Sequence, residues 1–467
     1  MANPTRKNTR AVLLAAGQGK RMKSARPKVL HDVLGKTILT RVLDAVDELE
    51  LDHVYIVIGH EADQIVAHLT AHPPKTPYST HLQNPQKGTG HALQMVAPAL
   101  EDFHGALLVS VADTPLLQGA TLAALVDGHC AAKSAVTLLT TEVEDAKNYG
   151  RILRHLDGSV IGIIEDKDAN EQQKAIREIN PAIYCFDWQA IKEGLFQLKD
   201  NNRQKEYYLT DLVAWAHAQG LNTVGIKSAD WRQVAGINSR LELSEAMRLL
   251  RDICVQRLAL ESGVTFVDLH NTWISPEVQI EQDSTVFPGC NLVGEIRIGA
   301  NCQIGPNTNM SGKVVVGSNS RVIQSQISDS EIGSYCKVGP YTHLRDGNVI
   351  SDHVRLGNFV EVKKSQIGAN TNASHLSYVG DTTIGKQANI GAGTITANYS
   401  HTTKAKNRTT IGDGASTGSN SVLIAPVTLG DRSVVAAGSV VNKDVPAGAL
   451  AIARVKQQNM EGWTDGK

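Results

Sequence analysis

Neither sign of charge is in excess: 46 basic residues face 47 acidic ones, so no global field draws the chain toward nucleic acid or anionic lipid. No apolar run approaches the ~20 residues that a bilayer span requires. Arg6, Lys7 and Arg10 precede "AVLLAA" and mimic the start of a signal peptide. That run ends at Gly17 and meets more positive charge, too short for an h-region. The six cysteines (Cys130, Cys185, Cys254, Cys290, Cys302, Cys336) form no C-x-x-C pair and no Cys/His cluster of zinc spacing. In a chain this long they read as small apolar residues in a reducing compartment, and a cytoplasmic protein is expected. Aromatics are scarce, at 4%, against 40 glycines that gather late in the sequence, which points to a repetitive architecture.

At 467 residues the chain is too long for one ordinary core. Residues 1–238 alternate short apolar runs with stretches of helical spacing. "RAVLLAAG", "HVYIVIGH", "GALLVSVAD" and "SAVTLLTTEV" read as buried strands. "ILTRVLDAVDELE", "ADQIVAHLTAH", "HALQMVAPALE" and "TLAALVDGHCAA" read as helices between them. This alternation predicts a mainly parallel sheet with helices on both faces, whose ligands sit beyond the carboxyl ends of the strands.

The pattern then changes. Leu241, Leu243, Ala246, Leu249, Leu250, Ile253, Leu258 and Leu260 lie on a broad helical stripe closed by Gly263, so residues 239–263 are expected to form one long linker helix. Within residues 264–467 the period becomes six. Aliphatics recur at Ile274, Ile280, Val286, Leu292, Ile298, Ile304, Met310, Val316 and Val322 without a slip. The beat continues through Ile327, Ile332, Val338, Leu344, Ile350, Leu356 and Val362, then Ile367, Ala373, Val379, Ile384 and Ile390. It returns from Ile411 through Thr417, Leu423, Leu429, Val435 and Val441. A hexapeptide repeat of this length predicts a β-helix: each hexad a short strand and turn, three hexads a triangular coil, the aliphatic pointing inward. Between Thr396 and Ile411 the polar stretch "ANYSHTTKAKNRTT" must leave the solenoid as a loop, and such loops usually carry function.

Motifs stand in both halves. The first carries "LAAGQGKRM…PKVLH", "LQNPQKGTGHA", "VADTPLL", "NYGRIL", "IIEDKDA", "YYLTD" and "GIN". The second carries "LRDG", "NFVEVKKS", "HLSYVGD", "NIGAGTITANY" and "AIARV". In this order, the first set resembles sugar-1-phosphate nucleotidyltransferases and the second the acetyltransferase half of the GlmU family. That family comprises bacterial bifunctional enzymes that make UDP-N-acetylglucosamine. The resemblance runs from about residue 8 to residue 460. It implies an α/β fold: a Rossmann-like uridyltransferase domain (1–238), a linker helix (239–263) and a left-handed parallel β-helix acetyltransferase domain (264–467).

Uridylyl transfer brings two anions together, so the site must neutralise their repulsion. Gly17 and Gly19 allow the backbone close to a triphosphate, Arg21 offers a bidentate fork and Lys28 a point charge. The resemblance places Leu14, Ala15, Ala16 and Gly17 at the uridine end of UTP and Arg21 and Lys28 at the phosphates as catalytic cations. Gln83, Gly88 and Thr89 would read uracil; Gly150, Glu165 and Asn180 would bind the sugar. Asp113 and Asn238 would bind Mg²⁺. Ala112, Pro181 and Ala182 depart from the family, which commonly has Gly before the metal Asp and Thr or Ser, then Gly, after the Asn.

N-acetylation needs a base for the amine proton, and His375 is the natural one. The resemblance assigns Arg345 and Lys363 to the sugar phosphate and Tyr378 and Asn389 to the sugar. It assigns Ala392, Asn398, Tyr399, Ser419, Ala437 and Arg454 to acetyl-CoA, with Glu361 polarising the base network. The loop is about two residues longer than is usual, so its coenzyme lysine is Lys404 or Lys406, the following "RTTIG" favouring Lys406. His343 and Asp346 stand where Arg and Pro are common, which shifts phosphate binding toward Arg345. Relatives form homotrimers on small-molecule substrates. Two other readings differ in what they need. A nucleotidyltransferase whose β-helix only regulates would not require His375, Asn398 or the long loop. A catalytically dead relative would lack Arg21, Lys28 or Asp113. All are present.

Overall fold

A computed structural model describes residue 6 and residues 8–464. The chain divides into two compact units, residues 1–249 and 250–467. The first is built on a ten-stranded sheet. Its strands are β1 (Thr9–Leu14), β2 (His53–Ile58), β3 (Tyr78–Leu82), β4 (Ala106–Val111), β5 (Val136–Glu142), β6 (Gly150–Arg154), β7 (Val160–Ile164), β8 (Glu178–Asn180), β9 (Ile183–Asp187) and β10 (Thr223–Lys227). The order is β3-β2-β1-β4-β9-β5-β8-β6-β7, with β10 parallel to β5. The β3-β2-β1-β4 edge is parallel, as the strand–helix alternation predicts. β9 enters antiparallel between β4 and β5, and β8, β6 and β7 extend the sheet antiparallel.

Both faces of the sheet are covered, which is why its central strands read as unbroken apolar runs. Along β1, Val12 joins one buried cluster with Val57 and Val109, while Ala11 and Leu13 join the other with Ile56 and Leu108. The "HALQMVAPALE" segment is not one helix: an α-helix spans Thr89–Gln94 and a 3₁₀ turn spans Ala97–Leu100. Pro98 has no N–H to continue the ladder.

The long helix runs Arg240–Glu261. Its buried stripe is Leu243, Ala246, Leu249, Leu250, Cys254, Val255 and Leu258; Leu241 and Leu260, expected on it, are 84% and 85% exposed. Two residues of helix rotate a side chain by about 200°, so Leu241 and Leu260 face away from Leu243 and Leu258. Arg240 reaches the Met22 carbonyl, whereas Arg251 bonds the His270 carbonyl and Arg257 those of Pro276 and Val278.

The second unit is a parallel β-helix. Every inward position of the six-residue beat from Ile274 to Val441 is at most 5% exposed. The ladder pairs Val286 with Ile304 and Ile304 with Val322, then Leu344 with Val362 and Val362 with Val379. Ile384 pairs with Ile411, so the polar insertion leaves the coil without disturbing its register. The insertion doubles back on itself: Tyr399 bridges to Lys406 antiparallel, and the Asn407 N–H returns to the Asn398 carbonyl at 2.8 Å.

Ala182 is one of several non-glycine residues of the first unit held in left-handed backbone. Between β8 and β9 Ala182 sits at φ 60°, with its N–H donated to Asn180 Oδ1 at 3.1 Å. Left-handed backbone costs a residue with a Cβ about 1–2 kcal/mol, which a glycine would avoid. Ala182→Gly should therefore stabilise the first unit by about 0.5–1 kcal/mol after the entropy cost in the unfolded chain, read as a higher urea midpoint; a lower midpoint would show that this conformation is not held.

Candidate active sites

In the first unit the carboxyl ends of adjacent parallel strands deliver the expected residues to one edge. Leu14 ends β1, with its carbonyl accepting the Ala112 N–H, and the Ala15 N–H goes to Val57. Gln83 follows β3, and Asp113 follows β4 by two residues. The Ala112 methyl is fully buried in the core cluster with Leu13 and Ala15, so this departure from the family faces away from the edge. The chain leaving β1 forms a 3₁₀ turn over Lys20–Met22 flanked by left-handed Gly19 and Lys23. A Cβ on Gly19 would lie 2.9 Å from Lys28 Cβ, so this glycine is what lets the turn close on Lys28.

Lys28 is the centre of the site. Its Nζ lies 2.5 Å from Asp113 Oδ2 and 3.1 Å from Asn238 Oδ1. Two oxygen donors from segments far apart in sequence thus converge on one positive charge. A carboxylate and an amide oxygen are hard donors of the kind that suit Mg²⁺. Arg21 is exposed and lines a cavity with Asn238, Tyr149, Trp231 and Glu242.

The group expected to read uracil is already engaged within the protein. Gln83 is buried; its Nε2 donates to the Gly88 carbonyl at 2.9 Å and faces His91 Nδ1 at 3.1 Å. Burial, with Lys87 adding, lowers the His91 pKa and favours the neutral ring that can accept there. What Gln83 can offer a base is therefore its carbonyl oxygen. Gly88 has φ 102°, and a Cβ would meet the Tyr207 carbonyl at 2.6 Å. Thr89 Oγ1 accepts the Leu209 N–H, so the "YYLTD" stretch braces this loop.

Gly150, Glu165 and Asn180 are brought together: a Cβ on Gly150 would stand 3.6 Å from Asn180 Cβ and 3.7 Å from Glu165 Oε2. Burial raises the Glu165 pKa, and Thr210, donating to Oε1 at 3.0 Å, pulls it back in part. Asn180 donates to Tyr184 Oη at 2.7 Å. Thr210 belongs to the quoted "YYLTD" stretch, of which the sequence alone assigns no single residue a role.

In the β-helix, stacking of coils builds a cationic cluster. Arg345 pairs in register with Lys363, and Glu361 with Tyr378. Arg345 Nη1 donates to Glu361 Oε1 at 3.0 Å. The Lys363 pKa is pushed down, first because Lys406 stands against it and further by Arg345. Of the two loop lysines it is thus Lys406 that reaches this cluster; Lys404 turns the loop at φ 54°. Asn398 Nδ2 donates to Asp381 Oδ2 at 2.5 Å and to Tyr378 Oη at 3.4 Å. Asp381 ends the quoted "HLSYVGD" yet was not expected at the site. His375 is exposed on the Tyr378 strand, paired with Asn358.

A second group lies along the file of Asn358 and His375, which Ala373 carries on to the next coil by pairing with Ile390. The ladder that joins Ile390, Thr417 and Val435 carries Ala392, Ser419 and Ala437 as equivalent positions of successive coils. Asn389, expected beside Tyr378, pairs with Asn372 and Ser416 and belongs to that file. Tyr399 and Arg454 are exposed.

The MobA-like NTP transferase domain family matches residues 11–205, and the bacterial transferase hexapeptide (six repeats) matches residues 408–443. With the parallel ladder, the latter identifies a left-handed β-helix. Whole-length relatives carry both halves. The bifunctional protein GlmU of Geobacillus thermodenitrificans is 44% identical, over 97% of this chain and 97% of its own. That of Streptomyces avermitilis is 43% identical, over 97% and 93%, and that of Clostridium perfringens strain ATCC 13124 is 42% identical, over 98% and 99%. With identity of this order along both units, the chain belongs to the GlmU family of bifunctional transferases.

Proposed function

We propose that the chain makes UDP-N-acetylglucosamine in two steps: acetyl transfer from acetyl-CoA to the amine of glucosamine-1-phosphate, then uridylyl transfer from UTP. The observation that carries this reading is the Lys28 ammonium between Asp113 and Asn238 at the carboxyl edge of the sheet. A cation held there by two oxygen donors belongs to polyphosphate chemistry. The sugar group of Gly150, Glu165 and Asn180 supplies the acceptor side.

In the second step a phosphate oxygen of the acetylated sugar attacks the UTP α-phosphorus in line. The bond to the β-phosphate breaks and pyrophosphate leaves. Arg21 and Lys28 neutralise the charge that builds on the phosphorus and the leaving group. Asp113 and Asn238 would hold Mg²⁺, which when bound screens the phosphates and polarises their oxygens. Leu14 to Gly17 and Gln83 to Thr89 hold the uridine.

In the first step His375 takes the proton of the substrate ammonium, and the freed amine attacks the thioester carbonyl. The new C–N bond forms, the C–S bond breaks, and coenzyme A leaves as the thiol. Arg345 and Lys363 hold the sugar phosphate, Tyr378 the sugar, and Glu361 orients the base network, while Lys406, the lysine read as contacting the coenzyme, stands against Lys363. Asn398, Tyr399, Ala392, Ser419, Ala437 and Arg454 hold acetyl-CoA, with Asn389 on the same file. The Arg345–Lys363 pair lies on one file of the coil, and His375 lies on another with Ala392, Ser419 and Ala437. A homotrimer, in which the side of one copy faces the side of another, would join them. The working compartment is the cytoplasm and the partners are small molecules; no described helix is long and apolar enough to cross a membrane.

Two outcomes follow from separate sites. His375→Ala is expected to abolish release of free thiol from acetyl-CoA while sparing uridylyl transfer to supplied N-acetylglucosamine-1-phosphate. Arg21→Ala is expected to do the reverse. Equal loss of both activities in either variant would contradict the two-site assignment.

Glu165 gives a pH test. Because burial raises its pKa, the folded chain binds that proton more tightly than the unfolded chain does. Stability therefore falls as pH rises from the ordinary carboxyl value to the raised one. Glu165→Gln removes the penalty, so the variant should have the higher denaturation midpoint at pH 7, and the gap should close toward pH 4. Its KM for N-acetylglucosamine-1-phosphate should rise about tenfold through loss of a charged acceptor.

A further inference from the structure

Three consecutive amides of the segment carrying Asn238 are each accepted by a different part of the first unit. Tyr149 Oη accepts the Gly236 N–H at 3.3 Å, and the Asp113 carbonyl accepts the Ile237 N–H at 3.0 Å. Glu242 Oε2 accepts the Asn238 N–H at 2.5 Å. The same oxygen accepts the Ser239 N–H at 3.0 Å, while Ser239 Oγ accepts the Glu242 N–H at 3.2 Å. This Ser239–Glu242 reciprocity is a capping box at the start of the long helix, and its sequence signature is Ser-x-x-Glu. A capping box requires the glutamate to hold only the N-cap amide. Here it also holds the amide one residue earlier, on the residue whose side chain shares Lys28 with Asp113.

We infer that Glu242 is a positioning residue for uridylyl transfer: the helix-capping carboxylate sets the backbone of Asn238 and so aims Oδ1 at the cation site. The inference rests on the reading of Asn238 as a ligand of the divalent cation. Glu242 touches neither Asp113 nor Lys28 in the bonds described; it acts through the Asn238 amide. It also lines the cavity that Arg21 and Asn238 share, so a displaced side chain there would meet the reacting groups. Outer contacts of this kind commonly change metal affinity by about 10–100-fold when removed.

The test uses the full-length protein and two readouts: the Mg²⁺ concentration for half-maximal uridylyl transfer, and Mn²⁺ occupancy in the presence of UTP by electron paramagnetic resonance. Glu242→Ala should raise the Mg²⁺ requirement about tenfold and weaken Mn²⁺ binding in parallel. Glu242→Gln, which keeps one acceptor oxygen, should fall between it and the parent. Ser239→Ala breaks the other half of the capping box but leaves Glu242 on Asn238, and should stay close to the parent. The double variant Asn238→Ala/Glu242→Ala should be no worse than Asn238→Ala alone, because Glu242 acts through that residue. If Ser239→Ala shifts the cation requirement as far as Glu242→Ala, or if the two losses in the double variant add, Glu242 only caps a helix and the inference is overturned. If Asn238→Ala shifts both readouts and neither Glu242 variant does, the positioning role alone fails. If Asn238→Ala changes neither readout, the reading of Asn238 itself fails and the inference falls with it. Should Glu242→Ala not fold, the Gln variant is judged by the same criteria.

Discussion

One ammonium group organises the first unit. For Lys28 to sit between Asp113 and Asn238, the loop after β1, the end of β4 and the start of the long helix must arrive together, although they span most of the unit's sequence. The Lys28 and Asp113 side chains are only 11% and 18% exposed. A charge pair withdrawn this far from water must be paired and bonded, since either partner alone would carry an uncompensated desolvation cost. The sheet meets that requirement because parallel strands put all their carboxyl ends on one edge. Gly19 meets it again by removing the side chain that would block the loop's approach. Phosphate chemistry and local stability therefore draw on the same contact.

The β-helix solves a different problem by repetition. A coil stacks on the next at the spacing of strands in a sheet, about 4.8 Å, so equivalent positions become a file of side chains. The files of the six-residue beat are mostly aliphatic and supply the core, beside buried small polar residues such as Ser284, Ser320 and Thr371. Thr417, the polar member of the inward file after the loop, satisfies its hydroxyl by accepting the Gly391 N–H at 3.0 Å and bonding Thr394 Oγ1 at 2.8 Å. Outward files are free to carry function, and the polar insertion after Asn398 folds back so that Lys406 meets the file containing Arg345 and Lys363.

How much of this was legible in the sequence differs by scale. Every residue named by the six-residue beat is buried because a solenoid makes its period a direct image of its geometry, although off-beat residues such as Cys290, Ile296 and Val314 are buried as well. The parallel strands were equally plain, being buried on both faces. The antiparallel entry of β9 was not, because direction within a sheet is decided by long-range pairing and leaves no mark on "AIYCFDW". Leu241 and Leu260 misled because a hydrophobic residue near a helix end need not be on its buried stripe; angular position decides. At the sites, residue identities came with the family resemblance, but their burdens came from the structure. Gln83 has already given its amide hydrogens to Gly88 and His91. Glu242 stood in plain view as the fourth residue of Ser-Arg-Leu-Glu, a helix-start signature that local pattern alone would file under capping.

The cationic cluster of the β-helix shows why such a site must repel itself before it can bind. Register places Arg345 beside Lys363 on adjacent coils, so two like charges are anchored at neighbouring backbone positions. Lys406 adds a third positive charge, and Glu361 compensates only one of them, through Arg345. The Lys406 contact, with Arg345 adding, depresses the Lys363 pKa, and Asp346 offsets part of it. A doubly charged phosphate placed among the three cations reverses the sign of the interaction: each pairwise repulsion is outweighed by attraction to a common centre. Because the solenoid holds these groups whether or not substrate is present, that preorganisation costs the fold its stability rather than the complex its affinity, and the core of buried aliphatics is what offsets it.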